Sequence, residues 1–151
     1  MFTLVPVNFF KPEAARSSLA EVAVLKDGEQ VSYQEIPAFS AVLVYSISGD
    51  APAPPEIFSI LQELPACGEY NKVLCSWKEG ELSLAIAQGR SLLLANSYQA
   101  PDFTTAQYYI FLAMKSLQLN PEVTTIRFRH SLSAENEMAL YRYFKAVECK
   151  E

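Results

Sequence analysis

The stretch KVLCSWKEGELSLAIAQGRSLLLAN, residues 72–96, decides the fold. Val73, Cys75 and Trp77 alternate with Leu74 and Ser76, the period-two pattern of a strand. Lys78-Glu79-Gly80 turns the chain. Leu82, Leu84 and Ile86 then share one side of a second strand, and Ser83, Ala85 and Ala87 share the other. Small side chains on that second side leave room for a helix to pack closely. Gln88-Gly89-Arg90 makes the next turn, and Leu92–Asn96 is a third strand. Three antiparallel strands in a meander result.

Downstream, Thr104 and Gln107 match the S/T-x-x-E/Q box that opens a helix. Phe103, Ala106, Ile110, Ala113, Met114 and Leu117 give that helix an apolar stripe. Ile110, Met114 and Leu117 are therefore expected to be buried. Asn120-Pro121 stops it. Thr124–Phe128 follows as a strand, set parallel to the first meander strand by the crossover. Ser133 caps a last helix over about Ala134–Lys145, and Val147–Cys149 is a closing strand. A three-strand meander followed by α-β-α-β is the element order of one ribonuclease H-like, or actin-like, half. The fold class expected is α/β, with a mixed sheet and flanking helices.

Upstream, Phe2–Phe9 is apolar and β-rich. Pro6 removes a ladder donor, which assigns this strand to an edge. Pro12 opens a short helix to Ala20. Val22–Leu25 and Val31–Tyr33 flank Lys26-Asp27-Gly28-Glu29, a hairpin signal. Phe39–Ile47 is the most continuous apolar run of the first half and reads as a buried strand. Ser48–Pro55 is a proline-rich linker, and a second short helix runs to Leu64 with Ile57, Ile60, Leu61 and Leu64 on one face. Pro65 and Gly68 then divide the chain into a reduced first lobe, residues 1–67, and a ribonuclease H-like second lobe, residues 68–151.

Half of the 151 residues are hydrophobic, enough for a packed core. The net charge of −5 argues against nucleic-acid and anionic-membrane binding, which call for positive charge. Cys67, Cys75 and Cys149 are widely spaced, no CxxC occurs, and His130 is the sole histidine. Neither a zinc site nor a disulfide framework is expected from that set. No signal-peptide pattern opens the chain, and no apolar run approaches the ~20 residues of a membrane span. The default compartment is the cytoplasm.

Leu92–Glu122, LLLANSYQAPDFTTAQYYIFLAMKSLQLNPE, resembles a bacterial family catalogued as domain of unknown function 3822. Its members typically carry a Leu-Leu-x-x-Asn-Ser-aromatic strand end, an acid before a Tyr-Tyr helix, and a Leu-x-Leu-x-Pro exit. Leu93, Asn96, Ser97, Tyr98, Asp102, Tyr108, Tyr109, Leu117, Leu119 and Pro121 stand at those places. FTLVPVNFFKPEAA, residues 2–15, is similar to the family's Thr-Leu-Val-Pro-x-x-Phe-Phe strand and following helix. The resemblance implies an actin-like ATPase fold with no established biochemical role. It also implies an N-terminal strand meander that has no counterpart before Phe2.

In actin-type ATPases an Asp-x-Gly turn between the first two meander strands holds metal and phosphate. The matching turn here is Lys78-Glu79-Gly80, so Lys78 and Gly80 are the candidate phosphate contacts, set against the reading of a solvated turn. Ribonuclease H chemistry needs carboxylates converging on two metals, and the strand Val73–Trp77 has none. Asp102 is accounted for as a helix cap or dipole partner. Arg127, Arg129 and His130 form the one basic cluster. Arg127 and Arg129 share a strand face, either solvated or an anion or acidic-partner site. No catalytic residues, metal or cofactor are expected. The function expected is a non-catalytic binding or scaffold protein with a protein partner or a second copy of itself. The alternatives are a nucleotide-binding ATPase with an atypical phosphate loop, or a small RNA- or protein-binding module using Arg127 and Arg129. Association is expected through the first half, with Phe2, Leu4, Phe9, Tyr45 and Ile47 as the exposed apolar candidates.

Overall fold

The computed structural model describes residues 2–22, 25, 29–47 and 54–150. The chain divides into two units, Met1–Phe58 and Ser59–Glu151.

The first unit carries strands β1 (Phe2–Pro6), β2 (Gln30–Ile36) and β3 (Ala41–Ile47). They form an antiparallel sheet in the order β1-β3-β2. β1 is an edge strand, as Pro6 requires. It ends at Pro6 rather than at Phe9, because Val7–Phe9 tightens into a 3-10 turn. Pro12–Ala14 forms another 3-10 turn leading into α1 (Ala15–Ala20). Ala15 and Leu19 pack with Val42 and Val44 of the central strand β3. β3 starts two residues later than the apolar run suggests, because Pro37–Phe39 is a 3-10 turn closed by Ser40 at φ 51°. Tyr45 is only 2% exposed, which corrects its place among the exposed apolar residues. The Asp27-Gly28 turn, half of the Val22–Leu25 arm and most of the Ser48–Pro55 linker lie outside the described residues.

α2 (Glu56–Glu63) leads into the second unit, and its stripe of Ile57, Ile60 and Leu61, with Leu64 just beyond, is fully buried. Next come β4 (Asn71–Lys78), β5 (Glu81–Gln88), β6 (Ser91–Gln99), α3 (Phe103–Ser116), β7 (Thr125–Phe128), α4 (Ala134–Tyr141) and β8 (Ala146–Cys149). The sheet order is β6-β5-β4-β7-β8. β4, β5 and β6 pair antiparallel, while β7 joins β4 and β8 joins β7 in parallel. This is the meander-plus-crossover topology read from residues 72–150, with β7 beside the first meander strand as the crossover rule requires.

One face of the sheet buries Val73, Cys75, Leu82, Leu84, Ile86, Ile126 and Phe128 under α3 and α4, which contribute Phe103, Ala106, Ile110, Met114 and Leu140. On the opposite face Ser83, Ala85 and Ala87 are also buried. The 3-10 turn Leu64–Ala66 lies against β4 and β5, fitting where side chains are small. β5 is thus covered on both faces.

The sequence marks two residues as caps for α3, Thr104 in its Thr-x-x-Gln box and Asp102 just before it. Asp102, not Thr104, is the N-cap: its carboxylate accepts from Thr105 N–H at 2.7 Å. The carboxylate reaches the third residue beyond it, so the helix starts before the Thr-x-x-Gln box. Leu117 is half-buried rather than buried, because the helix closes there. Gln118 turns left-handed at φ 57°, and Leu119 N–H and Gln118 N–H return to the Met114 and Lys115 carbonyls, a Schellman closure. Ser133 caps α4 by accepting from Asn136 N–H. That helix ends at Tyr141 rather than Lys145, where a turn leads into β8.

Candidate functional site

The Lys78-Glu79-Gly80-Glu81 link is a two-residue hairpin loop between β4 and β5. Glu79 and Gly80 both have positive φ, 54° and 77°, as a type I′ turn demands. Lys78 is exposed. The turn is braced from one side: Ala100 N–H donates to the Gly80 carbonyl at 2.8 Å, and a Cβ on Gly80 would meet Pro101 Cα at 4.0 Å.

Arg127 and Arg129 do share a face. Ile126 and Phe128 point into the core beneath α3 and α4, so the two arginines alternate to the opposite face of the sheet. There they line a cleft of about 330 Å³ with Glu63, Ala66, Cys67, Leu74, Glu148, Cys149 and Lys150. The register puts Leu74, Arg127 and Glu148 at one level across β4, β7 and β8.

The cleft's cations are engaged by carboxylates of the same unit. Arg127 donates from Nη1 to Glu69 and from Nε to Glu148, both at 2.7 Å. Arg129 pairs with Glu63, and Lys150 Nζ reaches the other Glu63 oxygen at 3.1 Å. Three cations therefore meet three carboxylates. Burial pushes Glu63 upward, but Lys150 and Arg129 outweigh it and hold the carboxyl below its ordinary value. The Arg127 hydrogen bond does the same for Glu69. Burial pushes the Cys67 thiol up despite the neighbouring Arg127, and Cys149 is pushed up to about 11, chiefly by burial. Both thiols are therefore protonated at neutral pH and poor nucleophiles. His130 is half-buried and does not line the cleft.

The structure does not bring the two sequence-marked groups together. Arg127 is level with Leu74, four residues before Lys78 on β4, a separation of about 13 Å along a strand. Sequence reasoning missed the carboxylates that complete the cleft. Glu63, Glu69 and Glu148 are 66, 58 and 21 positions from their arginine partners, and no local spacing links them. Three tyrosines of the family-like segment also come together. Tyr98 on β6 lies flat on Tyr109 of α3, ring centres 4.5 Å apart, and Tyr108 meets Tyr109 edge-on.

Among the described residues no helix is long and apolar enough to cross a membrane. No curated protein matches the sequence. Among solved structures, the chain is similar to a crystal structure, at 1.85 Å resolution, of a protein from Bacteroides thetaiotaomicron with an actin-like ATPase fold and unknown function. The TM-score is 0.77 at 20% identity, over 98% of this chain and 64% of that one. The chain thus spans just under two thirds of that relative, and at this identity the likeness establishes the fold alone. It agrees with the β6-β5-β4-β7-β8 topology: this is an α/β protein of actin-like ATPase fold. Residues 56–147 match the family described as "Protein of unknown function (DUF3822)", and the chain belongs to that family.

Proposed function

We propose that this protein is a non-catalytic binding or scaffold module built on an actin-like fold, with a protein as its ligand. The observation that supports this reading is the chemistry of the Lys78–Glu81 turn. Where the fold's ATPases set an aspartate for the metal, this chain has an exposed lysine. The glycine that follows is flanked by Glu79 and Glu81, and two carboxylates repel a polyphosphate. Gly80 is held through its carbonyl by Ala100, and β4 from Asn71 to Lys78 carries no acid. The cytoplasm is the compartment that suits three reduced thiols and an acidic surface.

The test is a thermal-shift titration with magnesium ATP, together with a steady-state hydrolysis assay. The expected result is an unchanged melting temperature and no turnover. A saturable upward shift that Lys78→Ala abolishes, or turnover that Glu79→Ala or Glu81→Ala abolishes, overturns the reading.

A further inference from the structure

The observation that carries furthest is the free side of β6. Among the described residues β6 pairs with β5 alone and is an edge of its sheet. At nine residues it is the longest edge strand of the two sheets. Exposed edges in monomeric proteins are guarded by charge, proline or irregularity. SLLLANSYQ contains no charged residue and no proline. Its one irregularity is a register shift opposite Ile86 and Ala87, near the start of the strand, so Leu94–Gln99 runs regularly along the open side. Of its amides, Ser97 N–H is taken by the Asn96 side chain at 2.9 Å. By comparison, the edge strand β8 is four residues long and includes Glu148, and β1 ends in Pro6.

Of the exposed side chains of β6, Ser91, Asn96 and Gln99 are uncharged and polar and Leu93 is apolar, while the α3 residues beside it are apolar and aromatic. The Tyr98–Tyr109–Tyr108 contacts run from β6 onto α3. Tyr108 is 61% exposed, Leu112 one turn along α3 is 45% exposed, and Leu93 on β6 is 37% exposed. Backbone groups that seek a strand and side chains that seek an apolar cover therefore stand side by side.

We infer that β6 pairs antiparallel with β6 of a second copy of this chain, joining two five-stranded sheets into one and bringing the two α3 helices together over the seam. A lone extended peptide would satisfy the backbone but leave the tyrosines of α3 uncovered. A second copy brings a strand and a helix in the same relative placement, so one two-fold axis covers both. No register of the two strands sets like charges against each other, because neither strand carries any, and the one charged residue of α3, Lys115, lies in its last turn. This surface lies in the second unit, whereas the sequence placed association in the first half. The inference deepens the protein-binding reading by naming the partner, and the two fail separately. ATP turnover would overturn the non-catalytic reading without touching β6 pairing, and a monomer would overturn the pairing alone.

Sedimentation and light scattering on the full chain test it. The expected mass is twice 16.8 kDa, falling to one chain on dilution. Leu93→Lys and Tyr108→Lys should each weaken the dimer at least about tenfold, since a lysine at an edge is the natural guard against pairing. Their far-ultraviolet circular dichroism and melting temperature at low concentration should be unchanged. Leu4→Lys on β1 should leave the dimer intact. Hydrogen exchange at Leu94–Gln99 should slow with rising protein concentration. A strict monomer at high concentration overturns the inference. So does a dimer that both second-unit lysines leave intact, or one that Leu4→Lys dissociates. If a variant unfolds, the concentration dependence of exchange in the unaltered chain decides, and its absence along β6 overturns the inference as well.

Discussion

The indole N–H of Trp77 donates to the carbonyl of Ala100 at 2.9 Å. The amide of the same Ala100 donates to the Gly80 carbonyl, so both sides of one buried residue are tied to the β4–β5 hairpin. Trp77 also meets Phe103 edge-on at 5.3 Å, fixing where α3 begins. Trp77→Phe keeps most of the packing but leaves the Ala100 carbonyl unpaired. It should destabilise the protein by about 1–2 kcal/mol. Urea unfolding should show a lower midpoint with an unchanged slope.

The hydroxyl of Ser76 is the opposite case. It is buried, and among the described residues it has no hydrogen-bond partner. Burial without a partner is unfavourable. Ser76→Ala should therefore be neutral or stabilising, by up to about 1 kcal/mol. Loss of stability in the same urea experiment would show that the hydroxyl has a partner.

Gln118 closes α3 in a left-handed conformation that favours glycine. Gln118→Gly should raise stability by about 0.5–1 kcal/mol, the relief of the left-handed strain less the greater freedom of glycine in the unfolded chain. Gln118→Val should lower it. Thermal melts of the two variants, moving in opposite directions, check the assignment.

The carboxyls of Glu63 and Glu69 are held below their ordinary value of 4.5. A depressed folded-state pKa means the unfolded chain takes up protons first. The stabilisation is then complete above about 4.5 and is lost as the pH falls through the lowered folded values. Melting temperature should drop on acidification through that window. The drop should be modest, because Glu69 is largely solvated, and smaller in high salt. In a Glu63→Gln, Glu69→Gln double variant the slope across the window should flatten.

Much of the fold was legible because its decisive pairings are local. The β4–β5–β6 meander is joined by two-residue turns, and its alternation shows in consecutive residues. The parallel docking of β7 followed from the strand-helix-strand crossover. What escaped the sequence depends on distance or on fine local geometry. Asp102 and Thr104 both stood as caps for α3, and the choice rests on local geometry: the Asp102 carboxylate takes the Thr105 amide. The pattern at Arg127 and Arg129 showed a shared face, but not that the carboxylates of Glu63, Glu69 and Glu148 already meet it. Tyr45 was expected to be exposed because a first lobe lacking its strand meander would leave apolar surface uncovered, yet it is buried in the central strand of its sheet.

The chain order of the second sheet also bears on how it assembles. β4, β5 and β6 are contiguous in sequence, so their pairing closes only short loops, which is fast. β7 must wait for the α3 crossover, and β8 attaches to the sheet only through β7. In pulse-labelled refolding the amides of β5, flanked on both sides by meander strands, should be protected first and those of β8 last. During that interval the meander has two bare edges rather than one: β6, which pairs with β5 alone among the described residues, and β4, which β7 has yet to cover.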